Sequence, residues 1–350
     1  MPSNELGLIV TLGEEVPSPW YPGVPLFSPD GHTIALASSR IRFWDVSTHQ
    51  LIQELRNPYP EGCYLSNAIF SPDGRYFAAS ITGCWREENS SGHLLVWDVS
   101  TGNLIQEWMQ EYAKMPPPRS DLNDYVIPVD AMAFLPNSTG MVFASGNTLE
   151  VRDIFRNDKY DVLKLGPKMY ATQISMSSDG RLAYIIMSWQ KDQDFPVFWT
   201  YQHKFQVWNI NTHSMLREDK YPEGWVNLRL ELIGTSLAEI NYEKATSQIL
   251  NLETGEVRNL PFRIGWRYYN SDASLMIYAR LFGFGYDGRD QAIELWNTDN
   301  WQNIYTFLPD FGTDWTYGMH GIAFSPDSAI LAIEHQEQVS LWNIRPVVQP

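Results

Sequence analysis

Cysteine, basic charge and long apolar runs are all scarce in this chain, and each shortage excludes something. Two cysteines, Cys63 and Cys84, among 350 residues give no disulfide framework and fit a reducing compartment. Lysine and arginine number 25 against 41 aspartates and glutamates, a net charge of −16. That balance opposes nucleic-acid backbones and anionic membranes, which attract basic surfaces. It leaves protein partners, including partners with a basic surface. No stretch approaches the roughly 20 apolar residues that span a bilayer. The apolar run 6–12 is flanked by Glu5 and by Glu14 and Glu15, and lacks the basic start of a secretory signal. The expectation is a cytoplasmic protein with no membrane attachment. Asn89-Ser90-Ser91 and Asn137-Ser138-Thr139 match the glycosylation pattern, but a cytosolic chain does not meet that machinery.

Motifs for catalysis and cofactors are scarce too. There is no G-x-S-x-G elbow and no H-E-x-x-H helix. Gly283-Phe284-Gly285-Tyr286-Asp287-Gly288 matches the dinucleotide pattern in letters. A strand over 292–296 follows it, however, where the pyrophosphate needs a helix N-terminus. His203 and His213 bracket one strand, and at roughly 3.3 Å per residue they lie too far apart to share a metal. Asp192-Gln193-Asp194 offers carboxylates for calcium but few other oxygen ligands. Pro116-Pro117-Pro118-Arg119 favours an extended polyproline segment, read as a stiff surface loop. We expect no cofactor, no metal site and no catalytic residue.

What the chain has is repetition. Phe43-Trp44-Asp45-Val46-Ser47-Thr48 and Val96-Trp97-Asp98-Val99-Ser100-Thr101 are two copies of one strand end. Weaker copies contain Arg152-Asp153, Trp208-Asn209, Leu250-Asn251, Trp296-Asn297 and Trp342-Asn343. Their spacing of about 42 to about 56 residues is the range of propeller blades with insertions. Each unit also carries Ser-Pro-Asp-Gly or a relic of it, at 28–31, 71–74, 177–180 and 325–328. Ser first, Pro second and Gly fourth is type I turn chemistry. Four short strands with such connections make an antiparallel meander. With 14 tryptophans and 44% hydrophobic residues, the material suffices for one large core. The last unit lacks a fourth strand, and residues 6–12 supply an unassigned one.

The combination of Ser-Pro-Asp-Gly and Trp-Asp in fixed order, over essentially the whole chain, resembles the WD-repeat family of β-propellers. The resemblance implies an all-β fold over residues 1–350, a single seven-bladed propeller of four-stranded antiparallel blades closed by the N-terminal strand. It also implies a non-enzymatic scaffold for other macromolecules. The signature positions Trp44, Trp97, Trp208, Trp296 and Trp342 are expected to be buried structural residues. The chain departs from the family in lacking the opening Gly-His pair, and an Asp six residues before the signature Trp occurs only as Asp290. Arg152 and Leu250 replace the Trp in blades 3 and 5. These losses remove most of the family's hydrogen-bonded structural tetrad.

In a meander, successive connections alternate between the two ends of the sheet. Tight turns fall at one end. The long segments, 82–92, 189–202 and 281–290 within blades and 13–23, 56–64, 110–128 and 309–318 between them, fall at the other. Long loops on a rigid scaffold commonly carry binding. These are rich in aromatic anchors, with acids among them, the composition of interaction hot spots. The candidate partner-binding residues are Trp20, Tyr21, Trp85, Arg86, Trp189, Phe198, Trp199, Tyr201, Phe282, Phe284, Tyr286, Trp315 and Tyr317. The leading reading is a protein-binding scaffold or recognition subunit of a larger complex. Two others stand beside it: an enzyme or small-molecule binder at the channel mouth, and a reader of basic or methylated peptides, which suit aromatic cages with acids.

Overall fold

The computed structural model describes residues 6–14, 23–38, 40–55, 58–59, 64–82, 92–110, 113–115, 125–127, 131–145, 147–156, 159–165, 169–177, 179–190, 201–220, 229–233, 236–241, 246–251, 256–260, 266–271, 274–279, 293–307, 321–335 and 337–348. Strands dominate. The chain opens with β1 (Gly7–Leu12). The first sheet is β2 (Val24–Phe27), β3 (Thr33–Ala37), β4 (Ile41–Asp45) and β5 (Leu51–Leu55). The second is β6 (Tyr64–Phe70), β7 (Tyr76–Thr82), β8 (Gly92–Asp98) and β9 (Leu104–Gln110). A ribbon of β10 (Ala113–Met115) and β11 (Tyr125–Ile127) precedes the third sheet: β12 (Met132–Phe134), β13 (Gly140–Ser145), β14 (Thr148–Asp153) and β15 (Lys159–Lys164). Next come β16 (Met169–Met176), β17 (Leu182–Gln190), β18 (Tyr201–Asn209) and β19 (Ser214–Lys220). Then follow β20 (Arg229–Ile233), β21 (Ser236–Asn241), β22 (Thr246–Asn251) and β23 (Val257–Leu260). The sixth set is β24 (Trp266–Tyr269), β25 (Leu275–Ala279), β26 (Ile293–Asn297) and β27 (Gln302–Phe307). Finally β28 (Ile322–Phe324), β29 (Ile330–His335) and β30 (Gln338–Asn343) take β1 as their fourth strand, and a one-turn helix, α1 (Arg345–Val348), ends the described chain.

Six of these four-stranded sheets are antiparallel at every pairing. The strands β20 to β23 follow the same order, with β22 and β23 antiparallel. An all-β chain of sequential four-stranded meanders with almost no helix is consistent with a β-propeller.

The burial pattern explains why these residues form these strands. The third strand of the second sheet, β8, is buried at all seven positions, and β13 at all six. A strand covered on both faces wants apolar residues without alternation, which is how Leu94-Leu95-Val96-Trp97 reads. Fourth strands are different. In β5, Leu51 and Ile52 are exposed and Leu55 is buried, because this strand has a neighbour on one side only. Arg152, in place of a signature Trp, does not interrupt the third sheet, where it pairs opposite Met141 and Lys159.

Two compact units are separable. One comprises Met1–Arg56, Ile233–Ser236 and Ala245–Pro350; the other comprises Asn57–Leu232 and Leu237–Lys244. In the first, Leu12, Val339, Leu341 and Ala332 pack on Ile34, Leu36 and Trp44. A second cluster there joins Ile277, Leu295, Leu331 and Ile344, with Val347 and Val348 of α1 against it. The N-terminal strand belongs to this unit, with Leu8 opposite Trp342, Thr11 opposite Ser340 and Leu12 opposite Val339. Ile9 is the extra residue of a bulge between Leu8 and Val10. In the second unit, Val96, Trp108, Phe134 and Phe143 form one cluster, and Val142, Val151, Ile174 and Ile185 another.

Two expectations about connections need correction. The segment 110–128 is not loop throughout, since β10 and β11 pair across it from Ala113 with Ile127 to Met115 with Tyr125. The segment 189–202 is shorter than read, because β17 and β18 continue pairing out to Trp189 with Gln202 and Gln190 with Tyr201. Main-chain pairing overrides the polar, aromatic composition that suggested a loop.

Candidate functional site

The first-to-second and third-to-fourth connections are short, and the longest connections fall at the opposite end of the sheets. At the tight-turn end the Ser-Pro-Asp-Gly segments close with a bond from the fourth residue's N–H to the first residue's carbonyl, as from Gly31 to Ser28 at 2.9 Å and Gly74 to Ser71 at 2.8 Å. The serine hydroxyl donates to the aspartate, 2.6 Å in both Ser28–Asp30 and Ser71–Asp73, and accepts the N–H five residues on, Thr33 and Tyr76 at 2.9 Å. Asn270 takes the serine's accepting role for Leu275 N–H at 2.9 Å. Turns of adjacent sheets touch within each unit: Ser138 Oγ accepts Asp73 N–H at 3.1 Å, and Asn270 Nδ2 donates to Ser328 Oγ at 3.0 Å.

The signature aspartates also work inside turns. Asp45 Oδ1 accepts the N–H of Ser47 and of Thr48 at 2.9 and 2.7 Å, and both hydroxyls. The Ser47 hydroxyl leads these bonds in holding its carboxyl down at about 2. Asn209 and Asn297 make the two main-chain bonds in their turns, so asparagine substitutes there without loss of the acceptor.

The signature tryptophans differ in the partners they find on their own strands. In a strand, residues two apart share a face. Trp208 Nε1 donates to Gln206 at 2.7 Å, and Trp296 Nε1 to Glu294 at 3.0 Å. The Arg42 guanidinium lies 5.4 Å from the Trp44 ring. Arg152 pairs with Glu150 at 2.5 Å and covers the stacked rings of Trp108 and Phe143, so cation and carboxylate occupy the place of indole and acceptor. Burial differs along the series: Trp44 and Trp97 are 4% and 1% exposed, whereas Trp208, Trp296 and Trp342 are half-buried.

At the other end, two side-chain ties are described. His93 is the second residue of β8, after the segment 83–91. Its Nδ1 lies 3.0 Å from Glu107 Oε1, which also accepts the Tyr59 hydroxyl. The Tyr59 ring stacks on the imidazole with centroids 4.2 Å apart. His93 is buried, and its Nε2 has no hydrogen-bond partner among the described residues. In the other unit, Arg42 Nη2 donates to the Glu337 carbonyl at 2.9 Å and lies 3.6 Å from its carboxylate. This ties β4 to the β29–β30 turn. Neither Tyr59, His93 and Glu107 nor the Arg42 tie was singled out in the sequence. Their partners lie 295 positions apart in one case and 48 in the other, and no local motif marks such pairs.

One hydroxyl–imidazole pair has the composition of a nucleophile and base: His335 Nε2 and Ser340 Oγ, 2.8 Å apart. Ser340 is 1% exposed and its hydroxyl also bonds Thr11 at 3.1 Å, so it is a strand-to-strand link closed to substrate. Burial holds His335 below its ordinary pKa, which favours the neutral ring. Among the described residues no group of three His, Cys, Asp or Glu side chains is arranged to hold a metal ion, and no helix is long and apolar enough to cross a membrane.

Of the candidate partner-binding residues, Trp20, Tyr21, Trp85, Arg86, Phe198, Trp199, Phe282, Phe284, Tyr286, Trp315 and Tyr317 lie outside the described residues, as do Cys63, Cys84, Asp192-Gln193-Asp194, Asp290 and the proline run. Trp189 and Tyr201 sit on strand ends, in β17 and β18, rather than in a loop.

No family model and no curated protein matches this chain. Its fold is similar to that of a chain in a crystal structure of a mitotic checkpoint complex, with a TM-score of 0.64 over 98% of this chain and 96% of that one, at 13% sequence identity. A likeness so complete in coverage and so low in identity concerns the fold.

Proposed function

We propose that the chain is one seven-bladed WD-repeat-like propeller, closed by β1, that binds protein without catalysis. It serves as a scaffold or recognition subunit of a larger complex in the cytoplasm, using the loop-bearing ends of its blades. The observation that carries this reading is the asymmetry of the connections. First-to-second connections are tight in every four-stranded sheet, and third-to-fourth connections in the six whose fourth strand follows the third in sequence. Second-to-third connections lengthen to 83–91, 191–200 and 280–292, and sheet-to-sheet connections to 13–23 and 308–321. Insertions gathered at one end point to work done there. The aromatic residues in these segments supply anchors, and the net charge of −16 favours a partner with a basic surface. The structurally similar chain comes from a complex, which supports assembly as the class of work.

The test is quantitative affinity purification with alanine variants of both ends, each first shown to be folded. Trp85→Ala, Trp199→Ala, Phe284→Ala or Trp315→Ala should weaken a retained partner by about 2 kcal/mol or more, roughly thirtyfold. Ser47→Ala and Ser100→Ala should leave it bound. The opposite pattern sinks the assignment.

A further inference from the structure

The first unit contains a cavity of about 580 Å³ walled by β2, β24 and β28 with the turns that follow them. Each of these strands ends its sheet in the strand order, so no strand of its own sheet lies beyond it. The volume falls within the roughly 300–1,000 Å³ of small-molecule sites.

We infer that this cavity binds an uncharged, mostly apolar small molecule carrying an aromatic ring. The walls set that chemistry. Phe27, Tyr268 and Phe324 line it as half-buried rings. Each ring is held from behind by the core, Phe27 on the cluster of Leu36 and Trp44, the other two on the cluster of Leu331. Rings fixed in this way offer stacking and edge contacts with little entropy left to lose. Pro25 within β2 and Pro29 and Pro326 in the turns stiffen the lining, since their φ angles are locked.

Two polar side chains there, Asn270 and Ser325, are already engaged. Asn270 Nδ2 donates to Ser274 and Ser328 at 3.1 and 3.0 Å, and its Oδ1 accepts Leu275 N–H. Ser325 donates to Asp327 and accepts from Ile330. Among the described lining residues none is charged. A charged ligand would therefore shed its hydration without compensation, whereas an apolar one has nothing to compensate. This chemistry separates the site from the loop-bearing ends, where an acidic protein meets a protein partner.

The probe is N-phenyl-1-naphthylamine, a neutral aromatic fluorophore, titrated into the full chain, with the anionic 1-anilinonaphthalene-8-sulfonate as comparison. The expected result is saturable one-to-one uptake of the neutral dye, with the anionic dye at least tenfold weaker. Leu26→Asp puts a carboxylate in the wall and should weaken the neutral dye at least tenfold. Ser271→Trp, at an exposed rim position, should block entry while leaving the melting curve in place, and it carries the test if Leu26→Asp does not fold. Uptake that does not saturate, or that the folded variants leave unchanged, overturns the proposal.

Discussion

Trp97 is 1% exposed and sits in a strand buried on both faces. Trp97→Ala removes a whole indole from that packing and should cost about 3–5 kcal/mol, measured by denaturant unfolding. A loss under about 1 kcal/mol would show that neighbouring side chains collapse into the space. The next residue does different work. Asp98 accepts the Ser100 hydroxyl at 2.6 Å and the N–H and hydroxyl of Thr101 at 3.0 and 3.2 Å. The Ser100 hydroxyl, ahead of the Thr101 bonds, lowers its carboxyl below the ordinary 3.8. A carboxyl depressed in the folded state contributes stability above its unfolded pKa, and that contribution is lost as pH falls through the folded value. Acid unfolding should therefore steepen below about pH 4. Asp98→Asn keeps an acceptor, as Asn209 and Asn297 do, and should flatten that acid limb at a cost under about 1 kcal/mol; Asp98→Ala should cost about 1–2 kcal/mol. An unchanged acid limb in Asp98→Asn would remove this carboxylate from the account.

At the scale of elements, the sheets of one unit approach each other closely at their first strands. A Cβ built on Gly321 would stand 2.3 Å from Pro25 Cδ and 3.0 Å from the Gly23 carbonyl oxygen. Neither a proline ring nor a carbonyl gives way easily. Gly321→Ala should therefore part β28 from β2 and cost about 1–3 kcal/mol, as overpacking does, read as a lowered urea midpoint. If the midpoint is unmoved, the approach of these two strands is looser than the geometry states. Fourth strands stand at the other extreme. They carry the exposed Leu8, Leu51, Leu104 and Leu216, and tolerate them because one edge has no strand beside it.

For the whole molecule the decisive pairing is β1 with β30, which joins residues 329 positions apart through Thr11 and Ser340. Deleting residues 1–12 would bare the β30 edge and uncover Val339 and Leu341, which Leu12 helps to bury. We expect a lowered melting temperature and aggregation, followed by light scattering during a thermal ramp, because an open edge templates pairing with other chains. A deletion variant that stays monomeric and melts like the parent would mean that the other three strands hold their place unaided.

The repeat was legible because its parts are local. Ser28 to Gly31 lie within four residues, and each turn closes on its own hydrogen bonds, so sequence alone specified the turns, the strand order within each meander and the apolar third strands. Sequence also singled out residues 6–12 as a displaced fourth strand, since a run without a neighbour is visible by counting. The contacts that join one sheet to another were decided only by tertiary structure. Arg42 meets Glu337, and Phe27 and Phe324 wall one cavity, across nearly the length of the chain. The same holds where main-chain pairing carried β17 and β18 outward into a segment whose composition read as loop. Local propensity governs turns within a few residues, whereas burial and pairing between distant strands depend on which surfaces the fold brings together.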